Sequence, residues 1–276
     1  MAVPVGSETK SERPRFRGDI QGLRAIAVAA ILLNHAGMPR IPGGYVGVDV
    51  FFVVSGFLIT GHLAEELSAT GRISLADFYT RRARRILPAA FAVIVLTVVA
   101  AIVLQPPLLL PNTLRDAAAA AVYLPNLRFA AEHTDYFKTK DDPSAFQHYW
   151  SLGLEEQFYL VWPLLILLAF VLLGRSRRGV VVMLTAVSIA SFLLSVYLTH
   201  RTPLWAFFLL HTRAWEFAIG GLLAIATTAR RWPDVRTIGL LGWIGLALIA
   251  YAVLRFGPRT RFPGGVPPSP SSALHW

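Results

Sequence analysis

Residues capable of chemistry stand out because they interrupt long apolar runs. Arg24 and His35 are eleven positions apart in one such run. At about 100° per residue both project from one helix face, with an axial separation of about 16 Å. Histidine suits a general base, with an unperturbed pKa near ~6.5. Arginine suits an anion such as phosphate or carboxylate, because it presents a planar fork of donors. Interfacial anchoring of the His and a snorkelling Arg is the structural alternative. The spacing places His35 towards the outer end of the helix and Arg24 towards the inner end. Asp49 opens the next run at the depth of His35, where it is expected to orient that imidazole or to serve as a first-turn acid. Ser55 and Gly56 fall mid-run and suit close helix packing. No acid–base partner for Ser55 is placed by sequence.

Further along, Glu155 and Glu156 enter a third run about two turns after its start, and His148 precedes Glu155 by seven. Adjacent residues on a helix diverge, so at most one of the two carboxylates is expected to face a site. Arg213 and Glu216 are spaced i,i+3, which lets them pair as a neutralised couple. Charged groups inside a span are costly and commonly mark function. His62, His133 and His200 stand alone near ends or loops and carry no expectation. No HExxH, metal-spaced carboxylate cluster or phosphate-binding Gly loop is present, so no metal is expected.

The elements that position these groups follow from composition. The 276 residues are 55% hydrophobic and 15% charged, against about 45–50% and about 25% in soluble domains. Spans need about 20 apolar residues. Seven segments fit, roughly 21–37, 45–63, 86–105, 150–173, 180–199, 205–227 and 238–256. The fold class is therefore an all-α polytopic transmembrane helix bundle. An Ala-rich piece, 113–131, is too interrupted by charge and reads as a helix lying at the surface or packed on the others. The first 19 residues form a polar tail without the features of a signal peptide. Cysteine is absent, which excludes disulfides and thiolate metal sites.

The net charge of +10 does not read as a nucleic-acid stripe, because Lys and Arg cluster at the ends of apolar runs. With the N-terminus cytoplasmic, inner segments hold 15 basic residues and outer segments 9, including RRARR, RSRR and ARR on the inside. The positive-inside rule favours that orientation, with the 105–148 connection outside. The bilayer is the one partner read directly from composition.

Several motifs occur in order: RGDIQGLRAIAV with Arg24 and His35 in R-x10-H spacing, GGYVGVDVFFVVSGFLIT, DFYTRRARRILPA, DYF at 135–137, HYWSLGLEEQFYLVWP and TRAWEFAIGGLLA. Together they resemble the membrane-bound acyltransferase family 3 across roughly residues 17–265. The closest likeness is to the branch carrying an extracytoplasmic SGNH-type domain, as in O-antigen acetylases. The resemblance implies an O-acyltransferase that takes an acyl group, usually acetyl, from cytoplasmic acyl-CoA to a hydroxyl of an extracytoplasmic glycan or glycolipid. Peptidoglycan, lipopolysaccharide and exopolysaccharide stay open as acceptors, and the localisation implied is the bacterial inner membrane.

By position, the resemblance makes His35 the catalytic base and Arg24 the second essential residue and acyl-CoA contact. Glu155 is preferred over Glu156, and Asp49, Ser55, Arg213 and Glu216 are supporting. Family members have about ten spans. Here a TRFPG motif ends at 264 and a Pro/Ser-rich stretch, 266–276, resembles no membrane helix. The expectation is a truncated or frameshifted product, with a domain over 20–265, that lacks later spans and any SGNH-type domain. Two other readings stay open: a polytopic transporter, since His, Arg and Glu also serve proton relays, and an inactive remnant or assembly partner.

Overall fold

The computed structural model describes residues 17–132, 144–229 and 235–257. The polar tail before Arg17, His133, the DYF motif and the TRFPG and Pro/Ser-rich segments lie outside the described residues. Ten helices occur among them: α1 (Gly18–His35), α2 (Val46–Thr70), α3 (Leu75–Leu104), α4 (Leu110–Ala121), α5 (Pro125–Glu132), α6 (Tyr149–Leu172), α7 (Arg177–Arg201), α8 (Pro203–Phe208), α9 (Leu210–Ala229) and α10 (Val235–Arg255). No strand is present among the described residues, so the bundle is all-α as composition requires.

Among the described residues five elements are long and apolar enough to cross a membrane: α2, α3, α6, α7 and the α8–α9 stretch Pro203–Thr228. The two remaining expected spans fall short. Helix α1 has 18 residues and carries Asp19 and Arg24, and the apolar part of α10, Gly239–Arg255, is brief. Helices are the natural choice here, because a bilayer offers no water to satisfy backbone N–H and C=O groups. Large apolar side chains on the outside, such as Leu96, Leu104, Leu172 and Leu248, are exposed as a lipid-facing surface requires.

Local signals set the ends. Gly71 adopts φ 69° to terminate α2, and Ser176 caps α7 by accepting from the Gly179 N–H. Helix α3 begins eleven residues before the apolar run, so Arg81–Arg85 lie within a helix rather than in a loop. Its start is marked by Ser74, whose hydroxyl donates to Asp77 at 2.6 Å. The Ala-rich piece is two helices rather than one. Tyr123 at φ 57° turns the chain between α4 and α5, and Pro125 starts the second. Ala117, Ala120, Phe129 and Ala130 then bury against Ile94, Phe146, Tyr149 and Phe208, so this pair packs rather than floats.

Side-chain contacts give every long helix a direction. Pairs Asp49–Arg213, Gly56–Phe217 and Gly61–Ala224 advance together, so α2 and α9 run parallel. Ser55–Glu155 and Thr60–Trp162 show the same for α2 and α6. Helix α1 opposes α2, since Ala30 abuts Gly44 while Ala27 abuts Gly47. Helix α3 opposes α6: the Tyr79 hydroxyl donates to the Leu160 carbonyl, and the Tyr149 hydroxyl to the Ala90 carbonyl. Helix α7 opposes α9 through Ser191–Trp215 and Arg177–Ile225. The Gly43 N–H donates to the Val253 carbonyl, so α10 ends beside the α1–α2 turn.

Thus α2, α6 and α9 run one way and α1, α3, α7 and α10 the other. Arg72 and Arg175 lie at the end of the bundle opposite the α1–α2 turn, whereas Arg17, over Phe57, lies midway along α2. The three parallel helices enclose the main core, where Phe158 and Phe217 stack at 4.0 Å and Phe52 and Phe217 at 4.7 Å. Their approach is set by glycine. A Cβ on Gly56 would strike the Phe217 backbone, and one on Gly220 the Val53 carbonyl.

Candidate active site

The polar residues singled out by sequence occupy three places on this framework. The first is the end of the bundle where α1 finishes and α2 and α6 begin. His35 is exposed there, with its Nδ1 2.9 Å from the Ile31 carbonyl. His148 sits at the start of α6 and is pushed below its ordinary range, first by burial and then by the charge of His35. Two imidazoles from different helices therefore feel each other. Tyr45, just before α2, is pushed up to about 12, chiefly by burial and then by Asp49, with Arg213 acting against it.

Arg24 is not at the inner end. Its guanidinium lies 5.9 Å from the Phe51 ring centroid, and Phe51 is only the sixth residue of α2. The reason is the α1–α2 register: Arg17, at the very start of α1, already lies over Phe57, midway along α2. The His35-to-Arg24 stretch therefore lines the half of α2 nearest the α1–α2 turn.

The second place is a buried triad. Asp49 is taken by Arg213, not by His35: Nη2 donates to Oδ1 at 2.5 Å. Asp49 sits on the α9-facing side of α2, whereas α1 packs on the Gly44/Gly47 side, which explains the difference. Arg213 Nη1 also meets Glu216 Oε1 at 3.1 Å, one turn along α9. Side-chain exposure is 3% for Arg213, 1% for Glu216 and 13% for Asp49. The guanidinium lies between the Phe52 and Phe207 rings, at 5.5 and 5.6 Å from their centroids.

The third place is deeper, where α2, α3 and α6 meet. Ser55 Oγ donates to Glu155 Oε1, and the Tyr159 hydroxyl donates to the same oxygen and lies 3.0 Å from Ser55 Oγ. Ser55 thus has the carboxylate partner that sequence did not place. Arg82 of α3 reaches over the Tyr159 ring, with Nη2 3.9 Å from Glu155 and Nε 3.6 Å from Glu156. Both carboxylates therefore face one guanidinium, against the expectation that only one turns inward. Long side chains on neighbouring positions converge when a cation stands between their directions. Below this cluster Trp162 Nε1 donates to Thr60 Oγ1 at 2.8 Å.

Arg82, Tyr159 and the part-buried Asn126–Gln157 pair were not singled out by sequence. Arg82 was hidden in a basic cluster that reads as an orientation signal. Tyr159 had a usable signal, because it follows Glu155 by four. Among the described residues no three His, Asp or Glu side chains group as a metal site.

These residues lie within a stretch that comparison can place. The profile of a family described as an acyltransferase domain matches residues 17–270. The chain belongs to the acyltransferase-3 family. It is 34% identical over 229 residues to a protein of Bacillus subtilis named putative peptidoglycan O-acetyltransferase YrhL, covering 82% of this chain and 35% of that one. It is 35% identical over 221 residues to peptidoglycan O-acetyltransferase OatA of Listeria monocytogenes, covering 79% and 34%. It is 37% identical over 182 residues to O-acetyltransferase OatA of Staphylococcus aureus, covering 66% and 30%. The chain thus spans about a third of the length of these relatives. No solved structure matches it. Two of the three names specify peptidoglycan, so the particular likeness to lipopolysaccharide acetylases gains no support from them.

Proposed function

We propose that this chain is the membrane part of an O-acyltransferase that moves an acetyl group from cytoplasmic acetyl-CoA to a hydroxyl of an envelope glycan, with peptidoglycan as the acceptor class. The observation that carries this reading is the family match over residues 17–270, which spans His35, Arg24 and Glu155 together. The relatives' names supply the acetyl group and the peptidoglycan acceptor.

The chemistry suits the residues. In the transfer His35 accepts the acceptor hydroxyl's proton at the end of the bundle where it is exposed. Arg24 presents fixed positive charge to the polarised acyl group or to an anionic part of the donor. The buried triad holds α2 against α9 and so fixes the helix that Arg24 leans on. Orientation is read from charge. The ends of α3 and α7 rich in Arg face the cytoplasm, which puts His35 and His148 outside in a plasma membrane.

The test is base-labile acetate on purified peptidoglycan from cells expressing the chain, beside cells expressing His35→Ala. Acetate that appears with the chain and disappears with His35→Ala supports the reading. Acetate that is equal in both cultures and in uninduced cells sinks it.

A further inference from the structure

Acyl transfer between compartments moves a proton as well as an acyl group. The C–S bond of the thioester breaks and a C–O bond forms. The acceptor loses its O–H proton on one side of the bilayer, and the leaving sulfur gains an S–H on the other. Where the acceptor's proton is the one delivered to the sulfur, one proton crosses per acyl group and the transfer stays electroneutral, and the membrane interior then needs groups to carry it.

The cluster at the α2–α3–α6 junction has the parts for this. Ser55 Oγ and Tyr159 Oη both donate to Glu155 Oε1 and lie 3.0 Å apart, and a proton added to Glu155 completes the ring of three hydrogen bonds, across which protons pass from oxygen to oxygen. Ser55 and Tyr159 are buried, at 7% and 4% exposure. Glu155 and Glu156 share one guanidinium, that of Arg82, at 3.9 and 3.6 Å. Two carboxylates against one cation leave one uncancelled negative charge in an apolar setting, and one added proton makes the group neutral. Glu156 Oε1 and Arg82 Nε are buried without a hydrogen-bond partner, so the pair is not locked in a bidentate fork. Arg85, exposed one turn along α3, and Tyr123, in the α4–α5 bend, are the other charged or titratable groups that bear on it.

We propose that Ser55, Arg82, Glu155, Glu156 and Tyr159 form an internal proton site, in which the two carboxylates hold one proton and the two hydroxyls pass it during acyl transfer. The transfer part rests on the acyltransferase reading, whereas proton holding does not.

Infrared difference spectra of the full chain in lipid nanodiscs, taken between acidic and alkaline buffer, test the holding. A protonated-carboxyl stretch is expected in the wild type, lost in Glu156→Gln or Glu155→Gln and shifted in Tyr159→Phe. A wild type without the stretch, or a stretch unchanged in both Gln variants, overturns the proposal. Thiol release from acetyl-CoA with a muropeptide acceptor tests the passing. Each Gln variant should lower kcat by roughly a hundredfold with KM for acetyl-CoA unchanged, and Glu156→Asp should restore most of it. A rise in KM at constant kcat overturns a proton role. If the wild type releases no thiol, the acyltransferase reading falls, and the carboxyl stretch still decides the proton site.

Discussion

Replacing Arg213 with Met gives the sharpest test of the buried triad. The side chain is 3% exposed and is shared by Asp49 at 2.5 Å and Glu216 at 3.1 Å, themselves 13% and 1% exposed. Methionine keeps much of the volume between Phe52 and Phe207, so packing changes little. It leaves two carboxylates without a cation. Breaking a buried ion pair by removing one partner costs about 3–5 kcal/mol, whereas a typical intramembrane hydrogen bond contributes only about 0.6 kcal/mol. The two accounts differ by more than tenfold in the folded-to-unfolded ratio, since about 1.4 kcal/mol is a factor of ten. Neutralising all three positions, with Asp49→Asn, Glu216→Gln and Arg213→Met together, should recover to within about 1 kcal/mol of wild type, because the uncompensated charge is gone. Reversible unfolding in mixed micelles by SDS titration, followed by fluorescence of the seven tryptophans, measures both. An Arg213→Met variant within about 1 kcal/mol of wild type, or a triple variant no more stable than the single, would refute the argument that charge compensation holds α2 to α9.

Other expectations follow from separate contacts. Gly56→Ala sets a methyl against the Phe217 Cα at 2.7 Å, a backbone atom that no rotamer can move, so stability should fall by about 1–3 kcal/mol in the same titration. Tyr45→Phe removes a buried hydroxyl that has no hydrogen-bond partner, and should stabilise by about 1 kcal/mol. Trp162→Phe breaks the 2.8 Å bond to Thr60 and should cost about 1 kcal/mol, with Thr60→Val in the same background costing little more. His35→Gln removes a charge that opposes protonation of His148, so His148 should titrate at higher pH in nitrogen-15 histidine spectra, and an unmoved His148 would disconnect the two rings. Because His148 is held below its ordinary range, its stabilising contribution is full above the unfolded value. It is lost as pH falls through the folded one, and His35→Gln should move that loss to higher pH.

How much of this was legible in the sequence depends on the distance over which each feature is decided. The α2, α6, α7 and α9 spans lie close to where their apolar runs do, since length and hydropathy decide a span locally. The Arg213–Glu216 couple was legible for the same reason, as i,i+3 geometry belongs to one helix. The start of α3 was not, because apolarity marks where lipid begins and says nothing about how far a helix continues beyond it. Arg82 was lost with it: a basic run read as topology contains one residue that turns inward while Arg81, Arg84 and Arg85 stay exposed. Of the two roles weighed for Asp49, the first-turn position holds and the pairing with His35 does not, because depth along two helices is readable, whereas the side of α2 that faces α1 or α9 is decided by Gly44, Gly47, Gly56 and Gly220 acting between segments far apart in sequence.

The parallel run of α2, α6 and α9 turns those long-range choices into one arrangement. Parallel neighbours keep a constant offset, so each step along α2 meets a matching step on both partners: Asp49 meets Arg213, Ser55 meets Glu155, and Thr60 meets Trp162. A polar ladder of this kind needs backbone-to-backbone approach on one side, which the glycines allow, and aromatic filling in the centre, which Phe52, Phe158 and Phe217 provide. Helix α3 joins differently. It meets α6 through long polar side chains, Tyr79 and Arg82 from α3 and Tyr149 from α6, and much of its apolar surface is left to lipid. Contacts made by tips of long side chains break at lower cost than interlocked backbones, because few buried atoms separate with them. The α3–α6 contacts made by these side-chain tips therefore separate at lower cost than the interlocked α2–α9 pair, and the carboxylates that face Arg82 lie among them.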